Sequence, residues 1–194
     1  MSEFLKRVMK RMPKQAPASY TFESWDFGGK PTKEGFGILP VSGLDVDAFM
    51  KCVLDLDHYV GNLDFVEECR TIEDARFDAN QSRCYQRLKL PVIGGIHQEF
   101  LMTDAGEMEG YRVAYWEMLE DETMALNPKQ AIRNQYNDGA WIVMDGAIGY
   151  ALSTAPVRKD VGFLAWKAMT KGGDAGAKTV VKSTIESMVK WSKK

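Results

Sequence analysis

Four polar side chains in the middle of the sequence have the types and spacing that proton transfer requires. His97 and Glu99 are two residues apart in a segment that alternates as a strand, so both side chains point to one side. Arg83 and Tyr85 have the same spacing in the preceding strand-like segment. An imidazole beside a carboxylate can act as an acid–base pair. Surface pairs on strands have the same spacing, so we assign no catalytic residue.

Other motifs that would identify an enzyme or a metal site do not occur in the sequence. It contains no Ser-centred nucleophile elbow, no HExxH and no phosphate-binding glycine loop. His97 and Glu99 are too few ligands for a metal ion, so we expect no metal and no cofactor. His58 follows Asp57, and we expect it to stabilise a turn. Three cysteines without a CxxC spacing indicate inert thiols in a reducing compartment, rather than disulfides or zinc; they are Cys52, Cys69 and Cys84.

Composition and charge exclude several functional classes. The chain has 194 residues, a formal net charge of −2 and a pI near 5.8, which argues against general nucleic-acid binding. No apolar run approaches the length of a membrane span, and the first residues lack the apolar core of a signal peptide. We therefore expect a soluble, cytoplasmic, monomeric protein. We divide it into an N-terminal helix and arm, residues 1–34, and a main domain, residues 35–194.

The N-terminal segment predicts an amphipathic helix over Ser2–Met12. Its apolar side chains fall on one side, at Phe4, Leu5, Val8, Met9 and Met12. Its basic side chains fall on the other side, at Lys6, Arg7, Lys10 and Arg11. A basic amphipathic helix can lie on an anionic membrane surface, so we expect a transient membrane contact there, or docking on the protein itself. The arm that follows is rich in aromatic residues and should pack on the main domain as an edge strand; they are Tyr20, Phe22, Trp25 and Phe27.

The main domain alternates as a series of strands, with one helical pair near its start and one long helix at its end. Short links with turn residues make neighbouring strands antiparallel. The predicted strands are Phe36–Val41, Asp64–Ile72, Ser82–Leu90, Ile96–Thr103, Tyr111–Leu119, Ile132–Met144 (interrupted at Asn137-Asp138-Gly139) and Ile148–Ala155. Asp45 is the expected N-cap of a helix to Leu54, and a short turn or second helix follows over Asp55–Asn62. The last helix should run over Arg158–Trp191, with a bend or break at glycines 172–176.

This order of elements predicts a binder of small molecules. A sheet built from hairpins buries one face, and the only large partner available is the last helix. A strongly curved sheet around one helix leaves an apolar chamber between them. Polar tips of inward side chains would orient a ligand there. Our candidate ligand-binding residues are Val66, Gln86, Leu88, Tyr115, Trp116, Trp141 and Tyr150.

Three segments resemble the helix-grip superfamily, which includes START lipid-transfer domains, birch-pollen-allergen-like proteins and polyketide cyclases. Leu44–Tyr59 resembles the first helix of that fold and the turn after it, and Asp64–Ile72 resembles the next strand. Gly139–Val143 and Tyr150–Pro156 resemble the final hairpin. The resemblance implies an α+β fold in which a curved, antiparallel, seven-stranded sheet wraps around the C-terminal helix. It also implies two short helices after the first strand, and a pocket for an apolar ligand.

The leading functional hypothesis is therefore non-catalytic binding or transfer of a lipid or another hydrophobic small molecule. We expect access to the pocket at the loops around His58–Asn62 and Pro91–Gly95. The alternative is an enzyme of the cyclase or aromatase type, acting on a polyketide-like substrate in the same pocket. In that case Arg83, Tyr85, His97 or Glu99 would transfer protons. A third hypothesis is a partner-binding module that uses the aromatic residues of the arm.

Overall fold

Eight strands form one sheet in the residues that the structure describes. The computed structural model describes residues 2–90, 94–127, 129, 131–171 and 174–194, without the side chains of 168, 169 and 171. The strands are β1 (Thr21–Trp25), β2 (Glu34–Pro40), β3 (Val66–Ile72), β4 (Gln81–Leu90), β5 (Gly94–Met108), β6 (Tyr111–Met118), β7 (Ile132–Met144) and β8 (Ala147–Pro156). The sheet order is β1-β2-β8-β7-β6-β5-β4-β3, antiparallel apart from one short parallel pairing of β5 with β7. This confirms an α+β helix-grip arrangement, with one strand more than predicted.

The additional strand comes from the arm. In β1, Thr21 pairs with Ile38 and Trp25 pairs with Glu34 of β2, so the arm extends the sheet at its edge. The seven-stranded prediction counted only the main domain. An edge strand needs hydrogen bonds along one side only, so a short segment such as β1 is sufficient.

Five α-helices accompany the sheet in this part of the chain. They are α1 (Glu3–Met9), α2 (Val46–Leu54), α3 (Glu120–Ala125), α4 (Phe163–Lys171) and α5 (Asp174–Ser192), with 3₁₀ turns at Leu56–His58 and Arg158–Asp160. The Asp45 side chain caps α2 by accepting from the Ala48 amide at 2.9 Å, as predicted. The predicted C-terminal helix is described in two segments, α4 and α5, which confirms a long helix at the end of the chain. The predicted bend at residues 172–173 lies outside the described residues.

Two predicted turns are in fact part of strands. Asp104-Ala105-Gly106 forms a bulge within β5, where Gly106 has φ +67°, and the chain turns later at Glu109-Gly110. Asn137-Asp138-Gly139 continues β7, because tertiary pairing with β6 and β8 outweighs the local turn preference. The prediction at Asp145-Gly146 is confirmed, since it joins β7 to β8.

The sheet has an apolar core on each face. On the inner face, α2 and α5 cover the sheet through side chains such as Phe49, Val53, Ile185 and Met188. On the outer face, α1 packs Phe4, Leu5, Val8 and Met9 against Phe36 and Ile142. The apolar stripe of α1 is therefore buried on the protein and is not available to insert into a membrane. No helix among the described residues combines the length and apolarity needed to cross a membrane.

Candidate ligand-binding cavity

A cavity of about 110 Å³ lies between the inner face of the sheet and α5. Strand alternation explains its wall, because every second residue of β4, β5 and β8 faces inward. Val180 and Thr184 of α5 close the other side. The aliphatic and thioether wall consists of Leu63, Val66, Leu88, Leu90, Ile96, Met102, Leu152 and Val180.

Aromatic rings form the central part of the wall. The centroid of Tyr150 lies 4.4 Å from that of Trp141 and 5.6 Å from that of Trp116, and all three rings line the cavity. Burial raises the pKa of Tyr150, so its phenol stays neutral. Trp116 fits because Gly139 lies opposite it in the β6–β7 pairing. A Cβ on Gly139 would lie 1.9 Å from Cζ2 of the indole, so only glycine leaves room for this ring.

A chain of hydrogen-bonded amides forms the polar part of the wall. The indole Nε1 of Trp116 donates to Asn137 Oδ1 at 2.6 Å, and Asn137 Nδ2 donates to Gln98 Oε1 at 2.7 Å. Asn134 Nδ2 donates to the same Gln98 oxygen. Gln98 Nε2 in turn donates to Gln86 Oε1 at 2.8 Å. The cavity is thus mostly apolar, with one uncharged polar patch.

Six of the seven predicted residues line the cavity; they are Val66, Gln86, Leu88, Trp116, Trp141 and Tyr150. Tyr115 does not, because it is adjacent to Trp116 on β6 and must face the other way. It packs instead with the outer core beneath α1. Ligand binding by the six residues remains a prediction.

Sequence reasoning missed the residues that form most of the polar patch, Gln98, Asn134 and Asn137. Gln98 lies between His97 and Glu99, and the alternation that placed those two together also places Gln98 on the opposite face. That signal was present in the sequence. The roles of Asn134 and Asn137 depend on contacts with β5 and β6, for which no local signal exists.

The residues considered for proton transfer lie on the outer face of the sheet. Tyr85 Oη lies 2.7 Å from His97 Nδ1, and Arg83 Nε donates to Glu99 Oε2 at 2.7 Å. Burial lowers the pKa of His97, which favours the neutral imidazole. None of these four side chains lines the cavity, so they do not meet a molecule bound there.

The remaining reactive side chains have structural surroundings. Cys69 Sγ lies 3.3 Å from Cys84 Sγ in the inner core, where this hydrogen bond and burial raise the pKa of Cys84. A raised pKa keeps this thiol protonated, and a protonated thiol is a poor nucleophile. His58 Nδ1 lies 2.7 Å from Asp55 Oδ1, and this hydrogen bond raises the His58 pKa. Among the residues with described positions, no cluster of His, Cys, Asp and Glu could hold a metal ion.

Described residues in or beside the two expected access loops line the cavity. Tyr59, from the first loop, lines it, and so do Leu90 and Ile96 on either side of the second loop. Residues 91–93 lie outside the described part of the chain. Phe65, at the cavity wall before β3, has φ +67°, a conformation that costs a residue other than glycine roughly 1–2 kcal/mol. Strain of this kind concentrates where a segment has a functional role.

The fold is shared with solved structures of lipid-transfer domains. A STAR-related lipid transfer protein fragment from Xanthomonas axonopodis superimposes with a TM-score of 0.70 and 14% identity, covering 93% of this chain and 97% of that one. Human StAR-related lipid transfer protein 5 gives a TM-score of 0.71 at 11% identity, covering 98% and 94%. Human STARD10 gives 0.73 at 12% identity, covering 98% and 80%.

At these identities the likeness concerns the fold. No model of a protein family matches the sequence, and no curated protein matches it either. The agreement is with several StAR-related domains, and it covers 93–98% of this chain. The chain has a START-like helix-grip fold.

Proposed function

We propose that the protein binds a lipid or another hydrophobic small molecule between the sheet and α5, and carries it without chemical change. The observation behind this proposal is the mostly apolar cavity, which lies beneath α5 and is lined by Leu88, Trp116, Tyr150 and Leu152. Burying hydrocarbon there would supply about 25 cal/mol per Å². Similar solved structures are described as lipid transfer proteins, which supports the same class of ligand for this chain.

The size of the cavity implies that ligand binding involves movement. At about 110 Å³ it is smaller than the roughly 300–1,000 Å³ typical of small-molecule sites. A lipid would therefore have to displace α5 or the loops beside it. Val180 and Thr184 of α5 form one wall, and the Ser183 hydroxyl bonds the Asp64 carboxylate next to the cavity. We propose that this side opens.

The ionisable groups of the wall support a non-catalytic role. Among the described residues they are Asp64, Tyr59 and Tyr150. Burial raises the pKa of both tyrosines, so neither acts as a base at neutral pH. The Tyr59 hydroxyl already donates to the Val53 carbonyl at 2.5 Å. The residues that would transfer protons in a cyclase-type enzyme face away from the cavity, so we do not propose that reaction. They are Arg83, Tyr85, His97 and Glu99.

Membrane contact through α1 remains a proposal, in a changed form. Its apolar side chains are buried, whereas Lys6 and Lys10 are exposed to solvent. We propose an electrostatic contact with anionic head groups, which would weaken as salt is added.

Native mass spectrometry of the purified protein, before and after organic extraction, tests ligand binding. We expect the wild type to carry or take up one apolar molecule per chain, such as a fluorescent fatty alcohol. Leu88→Trp should abolish uptake, because an indole would fill the cavity. Leu164→Trp adds the same bulk on α4, where Leu164 is 79% exposed, and should bind as the wild type does. A wild type that binds no apolar molecule would refute the proposal.

A further inference from the structure

The polar patch of the cavity contains one buried acceptor without a hydrogen-bond partner. Asn134 is 1% exposed and lines the cavity, and its Oδ1 has no partner among the described residues. Folding removes the hydrogen bonds that this oxygen makes with water. Without a replacement donor, its burial lowers the stability of the folded protein. A bound ligand that donates a hydrogen bond to this oxygen would explain why an unpaired acceptor lies in the cavity wall.

The identity of the unpaired atom follows from Trp116. An indole Nε1–H can only donate, so the Asn137 atom that faces it is the oxygen. Asn137 must then present its NH₂ to Gln98, and Gln98 must present its oxygen in return. Because Asn134 meets that same oxygen, it must use its own NH₂. The free atom of Asn134 is therefore Oδ1, an acceptor, and what it lacks is a donor.

The charge of the wall restricts the donor further. No Lys, Arg or His is among the described residues that line the cavity, and the only carboxylate there is Asp64. Asp64 is engaged by the Ser183 hydroxyl. A phosphate or carboxylate group bound beside Asn134 would be desolvated without a cation and would face an oxygen. An uncharged hydroxyl group has neither the desolvation cost of an anion nor its repulsion from the oxygen.

We propose that the ligand carries an uncharged hydroxyl at the end that lies against β5 and β7, and that Asn134 Oδ1 accepts a hydrogen bond from this hydroxyl. This inference rests on the proposed function and narrows the ligand to alcohols with an apolar body. Enlargement of the cavity on binding gives the hydroxyl access to Oδ1. The positioning residues are Gln98, Asn137 and Trp116. Their chain of hydrogen bonds orients the Asn134 amide so that its NH₂ is bonded and its oxygen is free.

Competition between matched ligands tests the proposal on the full chain. The protein is incubated with equal amounts of decanol and its methyl ether, and the bound species are counted by native mass spectrometry. The ether has the same apolar body but no donor. We expect the protein to bind the alcohol about five- to tenfold more tightly than the ether. This ratio corresponds to the free energy of one hydrogen bond in a buried site. Decanoate at neutral pH should bind more weakly than the ether.

Two variants assign the preference to Asn134. Asn134→Leu should bind alcohol and ether alike. Its ligand-free unfolding temperature should change little, because the loss of the Asn134–Gln98 hydrogen bond is offset by removal of the unpaired oxygen, and Gln98 Oε1 still accepts from Asn137. Leu152→Val, in the same wall, should weaken both ligands equally and keep their ratio. A folded Asn134→Leu protein that still prefers the alcohol would overturn the assignment.

The competition experiment on the wild-type protein tests the hydroxyl proposal even without the two variants. If alcohol and ether bind equally well, the inference about the hydroxyl is wrong and the carrier proposal stands. If neither binds, the proposed function itself fails. Preferential binding of decanoate would overturn the uncharged-ligand proposal.

Discussion

At the scale of single residues, Gln98 holds the polar part of the cavity together. It is almost fully buried, its oxygen accepts from Asn134 and Asn137, and its NH₂ donates to Gln86. Without Gln98, the NH₂ of Asn134 and the side-chain oxygen of Gln86 would each lose the partner that they have among the described residues. The cost of one such group is about 1–3 kcal/mol.

We therefore predict that Gln98→Leu lowers the free energy of unfolding by about 3 kcal/mol. Urea denaturation monitored by tryptophan fluorescence measures this value. Gln81→Leu is the matched control on the adjacent strand, because Gln81 is partly exposed and its two side-chain hydrogen bonds are long, at 3.4 Å to Thr103 and 3.2 Å from the Asp78 amide. Its effect should stay below about 0.5 kcal/mol. Equal effects of the two substitutions would contradict the role of Gln98.

The apolar wall of the cavity could be predicted from the sequence better than the polar patch. Alternation along β4 is a local property, and it is sufficient to place Gln86 and Leu88 on the inner face. Asn137 was assigned to a turn, because Asn-Asp-Gly favours turns locally. Its position in β7 is determined by Trp116 and by strand pairing, which are contacts between distant parts of the chain.

At the scale of elements, α1 acts as a cover for the outer face of the sheet. Leu5 and Val8 are fully buried in the outer core, and Arg7 bonds the buried Glu34 carboxylate of β2 at 2.6 Å. We predict that Leu5→Ala lowers the free energy of unfolding by about 2–5 kcal/mol, as for other buried leucines. Lys6→Ala, one position away and exposed, should change it by less than about 0.5 kcal/mol. A small effect of Leu5→Ala in calorimetry would mean that α1 does not dock in solution.

The 3₁₀ turn before α4 is anchored by a buried ion pair. Arg133 of β7 donates to both oxygens of Asp160, at 2.7 and 3.0 Å, and these bonds lower the Asp160 pKa. Because the pKa is lower in the folded protein, the pair stabilises it above the unfolded pKa of about 3.9. That contribution is lost as the pH falls through the lower folded pKa.

We predict that Asp160→Asn costs about 3 kcal/mol at neutral pH, because the Arg133 charge stays buried without its partner. The difference from the wild type should shrink below about pH 4. Unfolding in urea at a series of pH values measures it. Asp121→Asn on α3, an exposed carboxylate, serves as the control and should show little difference at any pH. A difference for Asp160→Asn that is the same at pH 3 and pH 7 would contradict the ion-pair account.

Local sequence signals were sufficient for most elements, with exceptions at specific positions. The Asp45 cap and the Asp145-Gly146 turn were predicted because short-range chemistry determines them. Helix α3 was missed because it is only six residues long and its Thr123 is held by tertiary hydrogen bonds to the β5 backbone at Glu99.

At the scale of the whole molecule, the two faces of the sheet have different covers. The outer face of the sheet is covered by α1 and carries ion pairs such as Arg83–Glu99. The inner face meets α5, and the cavity lies between them. The proposed carrier function would use this difference, with the sheet holding the ligand while α5 and the loops beside it move to admit it.

Photolabelling with an apolar alkyl diazirine, followed by peptide mass spectrometry, tests the central claim most directly. The reagent inserts into whatever it touches when illuminated, so the labelled residues locate the bound molecule. We predict labels on the cavity wall, at Leu88, Leu152 and Val180, competed away by decanol. Labels confined to the exposed Phe163 and Leu164 of α4, or labels that decanol leaves unchanged, would contradict ligand binding between the sheet and α5.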